Sequence, residues 1–153
     1  MPVVPVLERR PFSIVLFAGW ADMDFNQHMR NAAYLGASES CRMQFLSQRG
    51  FTVDEFRKRM LGPVVLEDRL IYKKELELLE GFRVELALAA ITEDGRRMRL
   101  RNTIRREHDN ELAAVVESVV IWFDLTARKA VEPFEELKLA WFALERTEDF
   151  VWL

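Results

Sequence analysis

The chain has 153 residues, half of them hydrophobic and 31% charged, with a formal net charge of -3. That length suffices for one domain with a buried core, expected to span residues 1–153, and the composition excludes a disordered or fibrous chain. The charge balance offers no basic field for nucleic acid. A single cysteine, Cys41, excludes an internal disulfide and a cysteine-rich metal site, and no run approaches the roughly 20 apolar residues of a membrane span.

The opening stretch MPVVPVLERRPF has two early prolines and no apolar core of signal-peptide length, so a soluble cytoplasmic protein is expected. Residues 12–18, FSIVLFA, are β-branched, aromatic and apolar, and predict a buried strand. Two carboxylates, Asp22 and Asp24, then sit beside His28 where the strand gives way to a helix. That helix is predicted over 32–47, with Leu35, Met43 and Leu46 and the small Ala32 and Cys41 mainly on one face, and Gly50 ending it. It is small and apolar over much of its surface, suited to being wrapped by a sheet. TVDEFRKRML predicts a short second helix capped by Thr52 or Asp54.

The second half reads as strands. In PVVLEDRLIY the even positions Val64, Leu66, Leu70 and Tyr72 share one face, interrupted by Asp68. In FRVELALAAI, Phe82, Val84, Leu86 and Leu88 alternate with Arg83, Glu85, Ala87 and Ala89, and in RMRLRNTIRR, Met98, Leu100 and Ile104 oppose Arg97, Arg99, Arg101 and Arg105. Period two with one wet face, and the turn signals TEDGRR and REHDNE, predict an antiparallel meander. LAAVVESVVIWF is apolar at nearly every position and predicts a central strand or a subunit contact. Pro133 then opens a last helix with Phe134, Leu137, Trp141 and Leu144 on one stripe. The order is an α+β arrangement.

The stretch WADMDFNQHMRNAAYL resembles the signature of the 4-hydroxybenzoyl-CoA thioesterase-like branch of the hot-dog-fold family. Relatives carry an aspartate pair after the first strand, a glycine-histidine-valine-asparagine-asparagine type of loop, then an alanine, a tyrosine and a long helix. The equivalents here are Asp22 and Asp24, His28 and Met29, Asn31, Tyr34 and Leu35. Glu39 to Arg42, ESCR, resembles the glutamate and arginine further along that helix, and FDLTARKAVEPFEEL resembles the closing strand, turn and proline. Gln27 departs from a glycine common in relatives, opening a different path for the loop, and Arg30 departs from a repeated asparagine.

The resemblance implies a long central helix wrapped by a five- or six-stranded antiparallel sheet, here with an extra C-terminal helix. It implies a homodimer or homotetramer with active sites at the subunit interface, hydrolysis of acyl-CoA thioesters, no metal, and no cofactor beyond the CoA of the substrate. Asp24 matches the catalytic aspartate, as nucleophile or general base. Free amides at the start of the helix, about where Asn31 falls, form the oxyanion hole, with His28 and Asn31 orienting water or the aspartate. Capping and loop packing are the competing readings of these residues. Tyr34 and Glu39 are candidates for the substrate site, and Glu39 also for pairing with Arg42. Arg99 and Arg101 either meet the CoA phosphates or belong to a solvated strand face. Asp68 marks a sheet end or reaches the site, Asn102 and Ser118 line an acyl pocket or are bonded core residues, and Cys41 is a buried inert thiol. Two rival functions remain open: a hot-dog enoyl-CoA hydratase or dehydratase, although Asp24 and His28 are one residue too close for that pattern, and a non-catalytic acyl-CoA-binding protein.

Overall fold

A computed structural model describes residues 8–153; the expectation that no signal peptide is present rests largely on residues 1–7, outside the described ones. One sheet carries the strands β1 (Phe12–Phe17), β2 (Leu61–Tyr72), β3 (Gly81–Ile91), β4 (Arg97–Arg106) and β5 (Leu112–Asp124) in the order β1-β3-β4-β5-β2, with all neighbours antiparallel. The meander β3-β4-β5 is the expected one. In β4, Met98, Leu100, Asn102 and Ile104 are buried while the arginines between them face outward.

The helix α1 (Asn31–Gln48) lies against the inner face. It buries Tyr34, Ala37, Ser38, Cys41, Arg42, Phe45 and Leu46, a stripe repeating every three or four residues. Leu35 and Met43, expected on that face, fall on its flank: Leu35 is half-buried and Met43 exposed. Gly50 ends the helix at φ 86°, and the Phe51 amide returns to the Leu46 carbonyl at 3.0 Å. Phe45 packs on Trp141 with ring centroids 4.7 Å apart. The short α2 (Val53–Arg59) is capped by Thr52, whose side chain accepts from the Glu55 amide at 3.3 Å. In α3 (Glu135–Phe142) and just beyond it, Leu137, Trp141 and Leu144 are buried as predicted.

Two features of the sheet also differ from the sequence expectation. The first is the parity of β2. Its register against β5 jumps between Val65 and Glu67, so Leu66 is the extra residue of a bulge. Pro63 and Val65 pair with the inward Trp122 and Val120, and only beyond the bulge do Asp68, Leu70 and Tyr72 take the inner face. Val64 and Leu66 are therefore not on that face. The second is the C-terminus, where β7 (Arg146–Trp152) runs parallel to β3. β1 pairs with β3 only as far as Leu86, which leaves the edge from Leu88 to Ile91 for β7 to take. With the two-residue β6 (Lys129–Ala130) on β5, the sheet has seven strands, one of them parallel, where five or six antiparallel ones were expected. No described helix is long and apolar enough to cross a membrane.

Candidate active site

The turn after β1 is built by its own carboxylates. Trp20–Asp22 form a single 3-10 turn, and the Asp22 carboxylate accepts from the Gly19 amide at 3.1 Å. The Asp22 carbonyl accepts from the Arg30 amide at 2.7 Å, closing the loop onto the start of α1. Asp24 organises the tip. Its Oδ1 accepts from the Asn26 amide at 2.8 Å and the His28 amide at 3.1 Å, an Asx-type turn. The backbone of Asp24 also pairs with His28, amide to carbonyl, at 2.8 Å. Gln27 sits at the apex with φ 63°, the left-handed region where glycine is at home. A glycine there is thus accommodated by the same backbone. Among the described residues, Asp24 Oδ2 accepts no hydrogen bond.

Asp24 and His28 lie together on an open basin of about 690 Å³, with Trp20, Met23, Asn26, Gln27, Glu77 and Leu78. Three residues after His28, α1 begins without a side-chain cap. The Ala33 amide turns back to the Arg30 carbonyl at 3.0 Å, while the exposed Asn31 and Ala32 amides meet no acceptor among the described residues. Such amides and the positive end of the helix dipole favour a developing negative charge. The first turn is also held from β2: the Tyr72 hydroxyl donates to the Asn31 carbonyl at 3.2 Å.

The other candidates are spread more widely. Tyr34 is buried, packed edge-on against Tyr72 with centroids 5.4 Å apart, and burial pushes its phenol above the ordinary value. Arg99 and Arg101 stand on the outer sheet face, opposite α1. Both pair with Glu117, and Arg101 grips Asp149 of β7 through two bonds of 3.0 and 2.9 Å. Glu39 is exposed and lines a second groove, about 310 Å³, between α1 and the sheet. Its expected partner Arg42 turns inward instead. Arg42 Nε donates to Asn102 Oδ1 at 2.9 Å and Nη2 to Ser118 Oγ at 2.7 Å, while the Ser118 hydroxyl donates to Asp68. Asp68 thus sits in mid-strand and marks no sheet end. Burial pulls the Arg42 guanidinium below its ordinary value, against the opposing pull of Asp68 and Glu39. Cys41 is fully buried with its thiol pushed up to about 12 by burial, which leaves no thiolate for chemistry.

The sequence reading missed the groove, whose walls come from five elements, and the role of Tyr72. Asn102 and Ser118, offered either for an acyl pocket or as bonded core residues, are buried and hydrogen-bonded to Arg42 and do not line the groove; nothing local signals the role of Tyr72.

A model of the thioesterase-like superfamily matches residues 18–142, and the chain belongs to that superfamily. Its fold is the hot-dog fold. A Staphylococcus aureus protein solved in complex with CoA superposes with a TM-score of 0.81 at 22% identity, covering 94% of this chain and 91% of that one. A 1,4-dihydroxy-2-naphthoyl-CoA thioesterase from Synechocystis superposes at 0.80 with 13% identity, covering 88% and 98%. A DHNA-CoA thioesterase from Staphylococcus aureus superposes at 0.77 with 19% identity, covering 86% and 89%. Comparison with curated proteins finds no match.

Proposed function

We propose that this protein is an acyl-CoA thioesterase that releases a free acid and CoA. The observation that carries the reading is the Asp24 carboxylate: one oxygen is committed to its own turn and the other is unbonded, on a residue that lines the basin in the loop leading into the uncapped start of α1. Superfamily membership and the fold shared with a CoA complex and two CoA thioesterases support it. In the proposed reaction Asp24 Oδ2 attacks the thioester carbonyl, or takes a proton from a water that does so. The amides of Asn31 and Ala32 receive the oxyanion. The C–S bond breaks, the thiolate leaves as CoA, and water supplies the acid's second oxygen. His28 orients the water. CoA enters as part of the substrate, and no further cofactor takes part in this scheme. Glu39 belongs to the substrate site through the groove that it lines.

We further propose a homo-oligomer built on β2. Among the described residues β2 pairs only with β5, and its outer edge is exposed from Val65 to Arg69. α1 runs antiparallel to β2: its first turn meets Tyr72, and Met43 and Leu46 meet Pro63 and Val65 across the groove. Antiparallel pairing of two β2 strands brings each Asp24 loop beside the other copy's groove. A register that sets Glu67 opposite Arg69 of the copy is self-complementary. Release of free thiol from acyl-CoAs, compared between wild type and Asp24 variants, tests the activity. Hydration of an enoyl-CoA without thiol release supports the hydratase instead, and tight binding without either supports an acyl-CoA-binding protein.

A further inference from the structure

The groove between α1 and the strands β2, β4 and β5 has an unusual inner surface. Most of it is hydrocarbon: Met43, Leu46, Val65, Leu100 and Val120. Yet Arg42, only 7% exposed, lines it as well. Two of the three guanidinium nitrogens are committed to Asn102 and Ser118, and Nη1 makes no hydrogen bond to a described residue. Trp122 and Trp141 line the same groove, are almost wholly buried, and neither indole N–H finds an acceptor among the described residues. Buried donors without acceptors are uncommon and costly. Both indole N–H groups lie within the packing behind the wall, so Arg42 is the buried polar side chain of the groove, and its one carboxylate, Glu39, stands exposed at the rim.

Building on the thioesterase reading, we infer that this groove is the acyl chamber and that it selects acyl groups carrying an uncharged oxygen acceptor, a keto or hydroxyl oxygen, on an otherwise apolar skeleton. The apolar walls take the skeleton, and Arg42 supplies the donor that a plain hydrocarbon leaves unmatched. An uncharged acceptor is favoured over a carboxylate by the charges already in place. Asp68, linked through Ser118, and Glu39 both face Arg42, so the guanidinium is already compensated, and an added anion meets Glu39 at the rim.

The test uses wild-type protein and non-hydrolysable CoA thioethers of matched carbon count, bearing a plain alkyl chain, the same chain with a keto group, or the same chain with a terminal carboxylate. Binding is measured by calorimetry, which reads the chamber whether or not the protein hydrolyses thioesters; thiol release from the parent acyl-CoAs is scored separately. The keto analogue is expected to bind about tenfold more tightly than the plain one, the worth of one hydrogen bond to a charged donor. The preference is expected to disappear in Arg42→Met combined with Asp68→Asn, which removes the buried guanidinium together with the carboxylate linked to it through Ser118, with the melting transition showing that the fold is retained. Should that variant not fold, Arg42→Lys, which keeps the charge but loses the fork, is expected to reduce the preference. Equal binding of plain and keto analogues, tightest binding of the carboxylate, a preference that survives loss of the guanidinium, or no binding of any analogue overturns the inference.

Discussion

Asp24→Asn separates two jobs that the structure gives to one side chain. The carboxylate holds its turn through Oδ1, which accepts from the amides of Asn26 and His28 at 2.8 and 3.1 Å. An asparagine Oδ1 accepts the same two bonds, so the loop survives. An alanine accepts neither, and at ~0.5–1.5 kcal/mol per bond, toward the low end at this exposed site, Asp24→Ala loses about 1 kcal/mol. The chemical role runs the other way. Both substitutions remove the charged oxygen, and loss of a nucleophile or base lowers turnover by at least about 10²–10⁴-fold. The expected pattern is therefore two dead enzymes, of which only the alanine variant is measurably less stable. Thiol release gives the first quantity and urea unfolding the second. Near wild-type turnover of Asp24→Asn removes the catalytic role, and equal stability of the two variants removes the structural one.

Phe45→Ala empties the contact between α1 and Trp141 in a position with no solvent exposure, and is expected to cost ~3–5 kcal/mol by chemical denaturation. Arg69→Glu turns the proposed self-complementary contact at β2 repulsive and is expected to weaken the dimer about tenfold by sedimentation; adding Glu67→Arg restores it, since opposite charges then face each other again. Asp149 is held well below the usual carboxylate range, first by its hydrogen bond from Arg101. Because the folded-state value is depressed, the contribution is present above the unfolded value and fades as pH falls through and below about 4. Asp149→Asn is therefore expected to speed amide exchange in β7 at neutral pH, and to differ progressively less from wild type in acid.

What the sequence could reveal was whatever is local. Strands β3 and β4 each bury one face, so alternation placed them, and the continuous apolar run of β5 placed it inside the sheet, between β4 and β2. The Asp24 loop was legible because its carboxylates, His28 and the helix start fall within about ten residues. The parity of β2 was not, because Leu66 is apolar like its neighbours and a bulge there is a backbone event with no composition signal. Nor was β7, whose place depends on where β1 stops along β3. Spacing offered Arg42 a partner in Glu39, three residues away. Burial decided otherwise: Arg42 lies on the inward stripe with Cys41 and Phe45, where only Asn102 and Ser118 are within reach.

That choice makes Arg42 informative beyond its own bonds. Burying a guanidinium is expensive, and replacing a buried charged network with neutral groups of similar volume is often neutral or stabilising. Asp68 is exposed on its strand and reaches Arg42 only through Ser118, so the buried charge is the guanidinium alone. The stability of the chain thus does not explain why Arg42 is present. Nor does the pairing exhaust the donor, since the guanidinium reaches Asp68 only through Ser118 and leaves Nη1 without a partner among the described residues. A double substitution that folds as well as wild type while losing discrimination between ligands separates the two accounts. One that unfolds while Arg42→Lys keeps full selectivity returns the network to the core.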